Sequence, residues 1–279
     1  MFFGGFYLDP LYIWVFLITI LISGAAQLYV RSAYKKWGKV ANGAGVTGIE
    51  AGYAIVNRTD LGGSGLGIEV PELRKLKELQ DKGVITEQEY KAKSGQVLAQ
   101  ASDTAVNRST IGFERVPGEL SDHYDPRTHT VRLSEGVATK KSVAAMAIVA
   151  HELGHAQQHE NNSFLITMRN VLVPAVRFSP QVAYILILLG FIFNLVGALW
   201  LGILFYALMV VFSVLTLPVE IDASRRGVLL LRESGLIQVD QDEQGTRNVL
   251  TAAAATYVAA AVTAILTLLY YITIARRRR

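Results

Sequence analysis

The sequence contains no cysteine, which excludes a disulfide scaffold, a cysteine-ligated zinc and a thiol nucleophile. Charge is scarce. Asp, Glu, Lys and Arg make up 18 % of 279 residues, against 51 % hydrophobic residues and a mean hydropathy of +0.32. So little charge cannot solvate an ordinary soluble enzyme or keep a chain disordered. Basic residues outnumber acidic ones only 27 to 23, for a net charge of +4. The positives sit beside apolar runs, four of them at Arg276 to Arg279, so no basic groove for nucleic acid is implied. What remains is a membrane protein with a soluble insert.

Leu11 to Val30 carries no charge, and about 20 apolar residues at 1.5 Å each match the ~30 Å hydrocarbon core. The run lacks a basic start and the positives follow it (Arg31, Lys35, Lys36, Lys39), so it reads as a retained anchor rather than a cleaved signal peptide. Phe178 to Val219 is uncharged for 42 positions, twice what one span needs, which predicts two helices with a turn between Val196 and Gly202. A fourth span runs from about Leu250 to Ile274. Alanines at 252–255 and 259–261 predict helix packing in its first half. The lipid bilayer is thus the first partner. Ten Lys or Arg residues lie on the face that receives the soluble part, namely Arg31, Lys35, Lys36, Lys39, Arg169, Arg177, Arg225, Arg226, Arg232 and Arg247. The other face receives Arg276 to Arg279. The balance favours a cytoplasmic soluble domain, against the pull of the C-terminal arginines.

Within the soluble part, Asn57 to Gly67 reads as a flexible boundary. In residues 71–98, Leu73, Leu76 and Leu79 line one helix face, Gly83 is placed to stop it, and Thr86 with Glu89 forms a capping box for a second helix. Glu119 to Ser134 reads as a hairpin around Asp125-Pro126-Arg127-Thr128, with Val131 and Leu133 on one face. If the strand His129–Ser134 lies at a sheet edge, it could hold an extended substrate by strand addition. A helix is predicted over about 139–160.

That helix carries His151-Glu152-Leu153-Gly154-His155. Imidazoles at i and i+4 share one helix face and can bind one metal ion, while Glu152 beside the first ligand can serve as general base on the attacking water. Five His and 14 Glu in 279 residues give about 0.004 expected chance matches. A catalytic zinc takes three protein ligands and leaves a position open. His159 stands about 12 Å further along the same helix from His151, which suits a polar residue at the helix end better than a third ligand. The alternative is the pair Glu220 and Asp222 after the third span. They stand 200° apart on a helix, so only one can face the ion.

Several motifs in order resemble the YugP-like neutral zinc metallopeptidases, a family of bacterial membrane proteins. They are Asp122-His123-Tyr124-Asp125-Pro126-Arg127, Val131-Arg132-Leu133-Ser134, His151-Glu152-Leu153-Gly154-His155-Ala156-Gln157, Thr216-Leu217-Pro218-Val219-Glu220-Ile221-Asp222-Ala223-Ser224 and Ala254-Ala255-Thr256-Tyr257-Val258-Ala259. The resemblance implies zinc-dependent peptide hydrolysis in a bacterial plasma membrane, with one Zn2+ per chain. Membrane proteases with a later E-x-x-A match Glu220 to Ala223, which selects Glu220 as the third ligand and leaves Asp222 as an alternative ligand or a partner to a zinc-bound histidine. Residues 71–98 resemble the SHOCT two-helix module, which implies a homo-oligomer or a partner complex, and as an insert they depart from the family pattern. Candidates for oxyanion or substrate contact are His123, Tyr124, His129 and Arg225.

The expected fold is a mainly α membrane protein of about four transmembrane helices, with a soluble HExxH zincin-like α+β domain containing a small β-hairpin or sheet. Its parts are an anchor over 1–30, a peptidase domain over 31–70 and 99–177, and the insert over 71–98. Two spans come next over 178–219, then a third-ligand segment over 220–248 and a last span with a basic tail over 249–279. The expected activity is that of a metalloendopeptidase on protein or peptide substrates associated with the membrane. A scaffold or assembly subunit with a structural zinc site is the alternative.

Overall fold

A computed structural model of the chain describes residues 10–59, 61, 76, 79–80, 82–90, 92–94, 96 and 111–278. The elements in order are α1 (Pro10–Trp37), α2 (Gly48–Arg58), β1 (Gly112–Val116), β2 (His123–Asp125), β3 (Thr130–Ser134), α3 (Glu135–Thr139), α4 (Val143–Glu160), α5 (Phe164–Ile192), α6 (Val196–Glu233) and α7 (Asp240–Arg277). Among the described residues, α1, α5, α6 and α7 are long and apolar enough to cross a membrane. The protein is mainly helical with one small sheet.

Two compact units divide the chain, with boundaries at 30/31, 163/164, 220/221 and 251/252. The first holds the apolar stretches of the four long helices. Its packing includes buried Ile187, Leu199, Ile203 and Ala275, and Tyr12 stacks near Tyr270 with centroids 5.5 Å apart. The turn between α5 and α6 falls at 193–195, ahead of the predicted 196–202. Asn194 takes a left-handed conformation, φ 54°, and Leu195 N–H donates to Gly190 O at 3.1 Å, an arrangement that ends a helix without glycine. Gly202 serves close packing instead: a Cβ there would lie 2.9 Å from Ile187 N and 3.0 Å from Ala183 O. Ala252, Ala259 and Ala261 are buried.

The second unit contains α2, the sheet, α3, α4 and the ends of α1, α6 and α7. Its core gathers Ile55, Val131, Leu133, Met146, Val149, Leu153, Leu230 and Leu231, all at most 1 % exposed. Thr47 and Glu50 close a capping box on α2. Trp37 Nε1 donates to Asn248 Oδ1 at 2.9 Å, tying the end of α1 to α7. Helix α4 begins at Val143, not 139. Lys141 and Val143 instead hydrogen-bond the extended stretch Val40–Asn42, and Ser142 Oγ accepts Ala145 N–H as the cap.

The sheet has the order β1-β3-β2, with β1 parallel and β2 antiparallel to β3. The expected hairpin is therefore present, but β3 is the central strand, paired on both sides, so it offers no edge for strand addition. On one face Arg132 of β3 reaches Asp125 on β2 and Glu114 on β1, so it is a cross-strand tie rather than a freely solvated charge. Of the segment 57–67, Asn57 and Arg58 end α2, while residues 60 and 62–67 lie outside the described residues. So does much of 71–98, including Leu73. Gly83 is left-handed, φ 69°, and the Thr86–Glu89 capping box forms.

The hydrogen bond from Arg132 holds the Asp125 carboxyl down to about 2, with the Arg127 N–H helping. A depressed acid contributes stability above its unfolded value and loses it as pH falls through the folded one. We expect the Asp125–Arg132 tie to act above about pH 4 and fade toward pH 2. Asp125→Asn should then lower the unfolding temperature at pH 7 and shrink the acid-side drop. An unchanged acid limb would contradict this.

Candidate metal centre

Helices α4 and α6 approach closely because small residues face each other. A Cβ on Gly154 would sit 2.3 Å from Ala223 O, and one on Gly227 would sit 2.8 Å from Ala150 O. These are backbone atoms that cannot swing away. The contact pairs Ala150 with Gly227 and Gly154 with Ala223, so four steps forward on α4 are four steps back on α6. The two helices run antiparallel. Beside this crossing, Ser224 Oγ lies 3.2 Å from His151 Nδ1. One further turn along α4 reaches His155, and one turn back along α6 reaches Glu220.

His151, His155 and Glu220 each offer a ligand atom, all within 4.8 Å of one another. Glu220 is 3 % exposed. Two imidazoles and one carboxylate, with Ser224 at His151 Nδ1 and Gln158 at His155 Nδ1 (3.0 Å), form a donor set suited to a catalytic zinc. Asp222 points elsewhere. It accepts from Gln158 Nε2 at 2.8 Å and from Arg226 Nε at 2.7 Å, while Arg226 Nη1 donates to Gln157 Oε1 at 3.2 Å. The two acidic residues thus divide into a convergent one and a backing one, as their 200° separation requires.

Glu152 is 8 % exposed, and its Oε2 accepts the backbone N–H of Tyr124 at 2.9 Å. Strand β2 therefore aims the carboxylate that stands beside the ligand pair. The Tyr124 hydroxyl lies 2.6 Å from His129 Nδ1, and His129 Nε2 is 3.4 Å from Glu160. Burial, with Glu160 and Asp125 nearby, pushes the Tyr124 phenol up to about 12, so it stays protonated. His129 is itself left-handed, φ 52°, at the end of the turn. His123 Nδ1 lies 2.8 Å from Ser121 O. Arg225 is exposed and about 140° round α6 from Glu220. Of the four residues expected at the oxyanion or substrate, Tyr124 touches Glu152 through its backbone N–H. His159 makes an edge contact with Tyr124 and lies outside the convergent group.

Ser224, Gln158 and the paired small residues were not singled out by sequence. Gln158 follows His155 by three, and Ala150/Gly154 and Ala223/Gly227 share a four-residue spacing, so a signal was present.

A family model described as "Putative neutral zinc metallopeptidase" matches residues 85–276. The chain belongs to this family. It is also similar to the "Putative membrane protease YugP" of Bacillus subtilis (strain 168), 39 % identical over 164 residues, which is 59 % of this chain and 72 % of that protein. No solved structure matches the chain. A family of zinc peptidases implies zinc, and among the described residues His151, His155 and Glu220 form a group that could hold it.

Gly154→Ala should push α6 from α4, costing about 1–3 kcal/mol by overpacking and loosening metal binding. Gly197→Ala, with nothing within 4 Å of its Cβ, is the control. Equal unfolding temperature and equal zinc retention in both variants would show that the crossing is not what sets the centre.

Proposed function

We propose that the protein is a membrane-anchored zinc metalloendopeptidase that binds one zinc through His151, His155 and Glu220 and uses Glu152 as general base. The observation that carries this is Glu152, a buried carboxylate beside the two histidines and oriented by Tyr124 N–H. A purely structural zinc site needs no such group, which disfavours the scaffold alternative. When bound, zinc supplies Lewis acidity, bringing water ionisation near neutrality and polarising a carbonyl. Glu152 takes a proton from the attacking water and delivers it to the leaving amine nitrogen. The Tyr124 amide keeps the carboxylate aimed through both transfers.

Substrates of this reading are proteins or peptides at the membrane, because α6 runs without interruption from an apolar stretch to Glu220 and beyond. The bacterial plasma membrane is the proposed location. Ten basic residues on the face of the catalytic part, against the four of Arg276 to Arg279 on the other, support a cytoplasmic catalytic part.

Purified wild type should hold about one zinc per chain, and Glu220→Gln should lose most of it. Glu152→Gln should keep its zinc while peptide cleavage falls by roughly 10²–10⁴-fold. Cleavage by Glu152→Gln at the wild-type rate, in a preparation free of other proteases, would rule this mechanism out.

A further inference from the structure

Gln158 shares the metal-facing side of α4 with His155, and it is 0 % exposed. Its two amide atoms have different partners. Nε2 donates to Asp222 Oδ2 at 2.8 Å, and Oε1 lies 3.0 Å from His155 Nδ1. The amide cannot be turned round. Asp222 is paired with the Arg226 guanidinium at 2.7 Å, and an acceptor-only carboxylate requires an N–H in front of it. With Oε1 fixed toward the ring, Nδ1 must carry the proton, and Nε2 becomes the ligand atom. At His151 the equivalent contact is the Ser224 hydroxyl, which can donate or accept and so imposes no tautomer.

We propose that Gln158 is the positioning residue of the metal centre. Through the relay Arg226–Asp222–Gln158–His155 it sets the tautomer and ring direction of His155, and Asp222 acts through Gln158 instead of as a ligand. This rests on the metal centre proposed above and adds a residue outside the HExxH motif to it. Burying a glutamine between a carboxylate and an imidazole satisfies both amide groups, which a hydrophobic side chain of equal size cannot do.

The test measures zinc affinity by chelator competition on the full chain in detergent, with metal-free unfolding temperature and histidine ¹⁵N spectra alongside. Gln158→Leu should weaken zinc by roughly 10- to 100-fold, and the metal-free protein should lose the His155 Nδ1–H signal. Gln158→Glu should also weaken it, since two carboxylates then face each other. Adding Asp222→Asn to Gln158→Glu restores a donor opposite residue 158, which still accepts from His155 Nδ1–H. Affinity in this double variant should return to within about threefold of wild type. A double variant as weak as Gln158→Glu would show that the glutamine only fills space, and overturn the relay. Wild-type affinity in Gln158→Leu, with zinc lost in Glu220→Gln, would overturn the relay alone. Zinc retained at full affinity in Glu220→Gln would overturn the metal centre, and the relay with it.

Discussion

The close crossing of α4 and α6 is the constraint on which the rest depends. Two antiparallel helices can bring backbone against backbone only where side chains are nearly absent, and Ala150, Gly154, Ala223 and Gly227 supply those positions. Each glycine weakens its own helix by about 1 kcal/mol relative to alanine. The return is a fixed register. Once Ala150 faces Gly227 and Gly154 faces Ala223, the placement of Ser224 at His151, and of Glu220 one turn on, is dictated by helix geometry alone. A wider crossing would leave the same residues on the same faces with no common point to converge on.

Charge inside the second unit is handled by partners matched to each carboxylate. Asp222 has the Arg226 guanidinium and the Gln158 amide. Glu152 has a backbone N–H from β2. Fully buried Asp242 accepts three, from Gly43, Gln238 and Val239, joining two loops. Backbone donors orient both of these carboxylates. The sheet then has a clear task. Arg132 ties β2 to the central strand, and β2 presents the amide that aims Glu152.

Much of this was legible in the sequence. The four apolar stretches, the hairpin around Asp125-Pro126, the HExxH helix and the pair Glu220 and Asp222 rest on periodicity and spacing, which are local properties, while the choice of Glu220 came from the resemblance. What was not legible depends on partners distant in the chain. That β3 is central rather than an edge is set by β1, eighteen residues upstream of its register partner. The α5–α6 turn was drawn toward glycines that pack helices, while Asn194 made the turn. Gln158 looked like an ordinary polar residue on a helix, because its meaning comes from Asp222, 64 positions away. The start of α4 moved for the same reason: residues 40–42 hydrogen-bond Lys141 and Val143.

Metal binding as proposed and the helix crossing would be thermodynamically coupled. The candidate ligands His151, His155 and Glu220 converge only in the folded arrangement, so an ion held there would stabilise that arrangement by linkage. The crossing in turn pre-orders the ligands, which lowers the ordering cost that binding would otherwise carry. Glu220 sits within one uninterrupted 38-residue helix that also carries an apolar, membrane-length stretch. Glu220, the proposed third ligand, is therefore not on a loop that can adjust. Its position is set by the rotation of α6 about its own axis, and the contacts of Gly227, Ser224 and Ala223 with α4 fix that rotation. The small residues, the ligand and the backing carboxylate occupy one short stretch of α6 because each needs the same helix orientation.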